Sequence, residues 1–174
     1  YTVKEVNIPS NFTCANDTVV INVTAGGENA VTFVNEYKQK TTSLTIDKAF
    51  PNGADYSMDV NQSFLFDVVE TDSMGNVVLG GTSLSVTVHG DGEVTIEGMI
   101  VGHYYKITEN KDWSWRYNDC TPSSALLEKT VGDDYIIVRL TDNAAANVVT
   151  FTNVRTVVQW LDGDSWCNNL FNTP

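Results

Sequence analysis

The sequence predicts an all-β protein, an antiparallel β-sandwich with one complete module preceded by part of another. Two patterns carry the fold class. No window sustains the i, i+3, i+4, i+7 apolar spacing of an amphipathic helix. Val, Thr, Ile and Tyr instead dominate short alternating runs punctuated by Gly, Asn and Asp. A third observation, a pair of repeated segments, divides the chain into modules.

The predicted strands are Thr18–Thr24, Ala30–Tyr37, Ser43–Phe50, Ser63–Thr71, Leu84–His89, Glu93–Glu97, His103–Glu109, Asp134–Thr141 and Asn147–Val154. The runs Leu84–His89 and Glu93–Glu97 flank Gly90-Asp91-Gly92 and read as a hairpin. Tyr1-Thr-Val-Lys-Glu5 matches Tyr105-Lys-Ile-Thr-Glu109, and Val31-Thr-Phe-Val-Asn35 matches Val149-Thr-Phe-Thr-Asn153. A full set of strands stands ahead of the second copy but not of the first. Residues 1–38 therefore read as the C-terminal part of a preceding module and 39–42 as a linker. Residues 43–155 read as the complete module, and 156–174 as a tail packed on it.

Composition narrows the function. The 174 residues are 42% hydrophobic, enough for a core, with 22 acidic against 10 basic residues and a net charge of -12. That balance argues against nucleic acid and anionic membranes, whose recognition needs clustered Lys and Arg. No apolar run approaches the roughly 20 residues of a membrane-spanning helix. Cys14, Cys120 and Cys167 lack the spacing of a zinc site, so no metal or other cofactor is expected, and an odd count leaves one thiol unpaired within the chain. The sequons at Asn11, Asn16, Asn22 and Asn61 arise readily by chance in Thr- and Asn-rich strands. An extracellular setting suits either origin.

Strand parity then picks out a constellation. Lys48 continues the apolar parity of Leu44 and Ile46, Glu109 that of Tyr105 and Ile107, and Asn153 that of Val149 and Phe151. Three strands each aim one polar group at the core. The first copy repeats two of the three, Glu5 and Asn35. A buried ammonium and carboxylate cost several kcal/mol per ion, and burial favours the neutral forms of both. A neutral amine can attack the Asn153 side-chain carbonyl while Glu109 relays protons. Ammonia leaves, and an amide ties the first strand of the module to the last. Each residue alone reads more simply as the polar end of a strand. The three together, with two of them repeated, favour the cross-link.

On these motifs the chain resembles the Cna B-type modules of Gram-positive surface adhesins and pilins. The resemblance covers about residues 42–155 fully and 1–38 in part. It implies an immunoglobulin-like or prealbumin-like sandwich and an intramolecular isopeptide bond between Lys48 and Asn153 with Glu109 as proton shuttle. Glu5 and Asn35 become a partial second site. The implied role is a stalk or fibre module of a secreted or cell-wall protein, not a turnover enzyme. Its partners are neighbouring modules or subunits, strand complementation included. The Leu170-Phe-Asn-Thr-Pro174 ending is not the sortase signal usual in the family, so an anchor lies outside this chain or is absent.

Other signals carry less. Trp113 with Trp115, and Trp160 with Trp166, suit packing of the tail on the loop after Glu109 better than a sugar platform. A cysteine beside each pair makes Cys120–Cys167 the preferred disulfide, leaving Cys14 to a partner outside the chain. The acidic runs Glu70-Thr-Asp72 and Asp162-Gly-Asp164 read as turns, since no closing glutamate follows. His89 and His103 have no nucleophile motif beside them and read as strand ends. The alternative function is a ligand-binding adhesin domain that recognises a host or microbial glycan or protein through its loops or Trp clusters.

Overall fold

The computed structural model describes residues 1–51, 60–111 and 117–155. The protein is all-β and divides into two compact units, Tyr1–Lys40 and Thr41–Pro174.

The first unit holds β1 (Thr2–Lys4), β2 (Phe12–Cys14), β3 (Thr18–Val20) and β4 (Asn35–Tyr37). β1 pairs with β3 and β2 with β4, both antiparallel. The predicted strand Thr18–Thr24 stops at Val20, and only Asn35–Tyr37 of Ala30–Tyr37 is a strand. The side chain of Asn29 explains part of this. Its Oδ1 accepts from the Thr24 N–H, and its Nδ2 donates to the carbonyls of Thr24 and Gly27, so a closed turn replaces extended chain. Val3, Phe12, Val19, Val31 and Phe33 form a half-buried set, while Tyr1, Val20 and Val34 stand largely exposed.

The second unit is a sandwich of two sheets. Its strands are β5 (Thr41–Ala49), β6 (Ser63–Thr71), β7 (Ser83–His89), β8 (Glu93–Ile100), β9 (Tyr104–Glu109), β10 (Tyr117–Ser124), β11 (Lys129–Val131), β12 (Tyr135–Arg139) and β13 (Val148–Arg155). One sheet has the order β10-β13-β5-β8 and the other β11-β12-β9-β6-β7. Neighbours are antiparallel except β13 and β5, which run parallel with Phe151 opposite Lys48. The core draws Leu44, Ile46, Val149 and Phe151 from the first sheet and Phe64, Phe66, Val68, Tyr105, Ile107 and Ile136 from the second, all fully buried.

Three expectations need correction. Thr41 and Thr42, expected in the linker, open β5, where the Thr42 hydroxyl accepts from buried Asn147. The runs on either side of Gly90-Asp91-Gly92 are strands but not a hairpin. β7 pairs with β6 and β8 with β5, so the turn carries the chain from one sheet to the other. Gly90 makes that crossing possible. It adopts φ +61°, and a Cβ there would lie 2.9 Å from the Val60 carbonyl oxygen. β1, β2, β10 and β11 are strands beyond those predicted. β10 contains Pro122 and little apolar alternation, as an edge strand tolerates. In the first acidic run Asp72 serves a turn as expected, accepting from the N–H groups of Met74 and Asn76 and from the Asn76 amide. Glu70 holds the Thr82 N–H and His103 Nδ1. The second acidic run and all four tryptophans lie outside the described residues.

Candidate functional site

Three strands from both sheets converge on one buried polar cluster. Each carries its polar residue at the end of an apolar alternation, so the pleat that buries Leu44 and Ile46 also buries Lys48. The same holds for Glu109 behind Tyr105 and Ile107, and for Asn153 behind Val149 and Phe151. Lys48, Glu109 and Asn153 are each about 1% exposed. Lys48 and Asn153 stand on the adjacent parallel strands β5 and β13, and Glu109 reaches them from β9 in the opposite sheet.

Glu109 is the hub. Its Oε2 lies 3.6 Å from Lys48 Nζ, and its Oε1 accepts from Asn153 Nδ2 at 2.5 Å. Lys48 Nζ also donates to the Phe151 carbonyl at 3.0 Å. The amine lies over the rings of Phe64 and Phe50, 4.5 and 5.2 Å from their centroids. Burial among those rings outweighs the attraction of Glu109, and the lysine is lowered from 10.5 to about 8. Asn153 Oδ1 is buried with no hydrogen-bond partner. An unsatisfied buried carbonyl is uncommon and costs about 1–3 kcal/mol. The cluster thus holds an amine that gives up its proton more readily than an exposed lysine, an amide and a carboxyl group near both.

A fourth member escaped sequence reasoning. Cys120 lies directly opposite Asn153 across the β10–β13 ladder, is buried, and its Sγ donates to Glu109 Oε2 at 3.4 Å. Burial, with the Glu109 carboxyl beside it, pushes the thiol up to about 12. Cys167, its expected disulfide partner, lies outside the described residues.

The first unit repeats much of this arrangement. β1 pairs with β3 as β9 pairs with β12, and β2 pairs with β4 as β10 pairs with β13. Asn35 Nδ2 donates to Glu5 Oε1 at 2.6 Å. Cys14 stands opposite Asn35 as Cys120 stands opposite Asn153. Glu5 Oε2, the counterpart of the oxygen facing Lys48, is buried without a partner. The repeat signal lay in the sequence, for each cysteine falls between the glutamate and asparagine of its copy.

Among the described residues no group of His, Cys, Asp and Glu is arranged to hold a metal ion, and no helix is long and apolar enough to cross a membrane.

The chain shares its β-sandwich fold with a solved bacterial adhesin. Comparison with protein families and with curated proteins finds no match. Among solved structures, the chain is similar to a bacterial adhesin from Mobiluncus mulieris that contains intramolecular disulfide, isopeptide and ester bond cross-links. The identity is 18% and the TM-score 0.54, over 84% of this chain and 55% of that one. It is also similar to the major pilin T-13 of Streptococcus pyogenes, at 19% identity and TM-score 0.43, over 80% of this chain and 53% of that one. The chain thus spans about half the length of these proteins. At 18% identity the adhesin shares the fold alone, and that fold is all-β as the sequence predicts.

Proposed function

We propose that the protein is a structural module of a bacterial surface adhesin or pilin-like fibre, locked by a self-formed isopeptide bond between Lys48 and Asn153. The observation that carries this reading is Glu109, whose two carboxylate oxygens face the amine and the amide across a buried site. The step balances as an acyl transfer. Lys48 Nζ bonds to Asn153 Cγ, the Cγ–Nδ2 bond breaks, and Glu109 passes the proton that the amine loses to the departing nitrogen. One ammonia leaves and no cofactor is consumed. The reaction runs once per chain, so the protein is not a turnover enzyme.

Residues 1–38 fit the same reading as the C-terminal part of a preceding module, with Glu5 and Asn35 as its half of a second site. A strand bearing a lysine would complete it, either from its own module or from a neighbouring subunit by β-augmentation. Modules in series are the architecture of an extracellular stalk, and the acidic surface keeps such a fibre soluble.

Intact mass tests the central claim. The wild-type protein, once reduced, weighs less than its sequence by one ammonia, and the Glu109→Ala variant shows the full mass. A wild-type mass without the deficit refutes the bond.

A further inference from the structure

We propose that Cys120 is a positioning residue of the Lys48–Glu109–Asn153 site, its thiol donating to Glu109 Oε2 so that the carboxyl keeps one oxygen toward the amine and the other toward the amide. The inference rests on the cross-linking reading of that site.

Four observations lead to it. Cys120 Sγ touches the oxygen that faces Lys48, not the one that receives the Asn153 amide. Its place directly opposite Asn153 is fixed by the ladder, so the thiol enters the site from the strand next to the reacting amide. Asn153 Oδ1 is left buried and unpartnered in the same cluster, so the site is built around groups not all satisfied at rest. Finally, the first unit places Cys14 opposite Asn35, with Asn35 bonded to Glu5 as Asn153 is to Glu109. A residue chosen only to fill the core is not expected to be cysteine at the equivalent position of both copies.

The chemistry suits the role. Reactivity belongs to the thiolate, and a thiol pushed up to about 12 stays protonated throughout the neutral range. It therefore remains a donor and does not compete with Lys48 as nucleophile. The amine, lowered to about 8, is by far the more available of the two. The thiol neither gains nor loses its proton during the reaction. Its contribution is to fix the rotation of the carboxyl about its last side-chain bond, a torsion that is otherwise broad.

Full-length protein made by cell-free synthesis, with translation stopped after a short pulse, allows ammonia loss to be timed by intact mass. Cys120→Val keeps the packing and removes the donor, while Cys120→Ser keeps a donor and loses volume. Positioning predicts that Cys120→Val slows the loss about tenfold, the worth of one ordinary hydrogen bond. It also predicts that Cys120→Ser stays within about twofold of wild type. A packing role predicts the reverse order and overturns the proposal, as does equal speed in all three proteins. Cys120 found disulfide-bonded to Cys167, by alkylation of unreduced, unfolded protein, overturns it too. A wild-type chain that never loses ammonia removes both this inference and the cross-link beneath it. A wild type that loses ammonia at the pace of Cys120→Val removes this inference alone.

Discussion

If Lys48 and Asn153 are joined as proposed, blocking the bond while leaving the lysine in place exposes what its burial costs. Asn153→Ala removes the carboxamide that the amine would attack but retains Lys48 beneath Phe50 and Phe64 and beside Glu109. In that variant Lys48 still titrates. Its folded value lies below its unfolded one, at about 8 against 10.5. Between those two pH values the unfolded chain holds a proton that the folded chain has released. Stability therefore rises with pH across that window. The gap corresponds to about 3 kcal/mol between pH 8 and 10.5. Below pH 8 the penalty is present in full, and above 10.5 it is gone.

With the proposed cross-link in place, Lys48 Nζ is an amide nitrogen that does not titrate in this range, so this rise is absent. Other groups titrate in both proteins. Cys120, raised from 9 to about 12, favours the folded state less as pH climbs through that range. The quantity to read is thus the difference between the two stability curves. Urea unfolding of wild type and Asn153→Ala at steps from pH 7 to 10.5 supplies it. The variant is less stable at pH 7, partly because a link across about a hundred residues is worth roughly 4–5 kcal/mol by analogy with disulfides. Its deficit then shrinks as pH rises. Parallel curves with a constant offset would refute the reasoning, either because Lys48 also titrates in the wild type or because its burial costs little.

Two further outcomes follow from particular contacts. Asn147 is fully buried, donates to Thr42 Oγ1 and the carbonyls of Ser43 and Thr141, and accepts from the Thr141 N–H and hydroxyl. Asn147→Ala leaves those groups without partners and lowers stability by about 3 kcal/mol in chemical denaturation; a change under about 0.5 kcal/mol contradicts the account. If a lysine-bearing strand from a second subunit completes the first unit, reducing denaturing gels show a ladder that survives boiling and collapses in Asn35→Ala. A single monomer band in the wild type argues against that completion.

Much of the site was legible because its logic is that of the pleat. Lys48, Glu109 and Asn153 each follow two apolar residues at a spacing of two, and the strands that carry them have the expected buried face. Parity says which face a residue takes, but not which strand lies beside it. That is why Leu84–His89 and Glu93–Glu97 looked like a hairpin, when each pairs with a strand already in its own sheet. Cys120 was hidden for a related reason. Its strand is an edge with a register shift between Tyr117 and Asp119 and a proline, so no clean alternation marks it. Asn147 was hidden because its work is done by a side chain just outside β13 that bonds back across more than a hundred residues.

The same buried cluster could in principle rest as a permanent ion pair, and the balance of costs bears on that alternative. Burial lowers the lysine despite the carboxylate 3.6 Å away, so the attraction of Glu109 does not repay the loss of water. Asn153 contributes a donor to Glu109 but leaves its own oxygen bare. An ion pair kept for stability would be expected to satisfy that oxygen, because an orphaned buried acceptor costs about as much as a good hydrogen bond contributes. The first unit sharpens the contrast. There a glutamate and an asparagine sit in the same mutual contact, with Glu5 Oε2 buried and unpartnered. The carboxyl–amide contact of Glu109 and Asn153 thus recurs at Glu5 and Asn35, as it does if that pair is the unit on which the proposed acyl transfer is built.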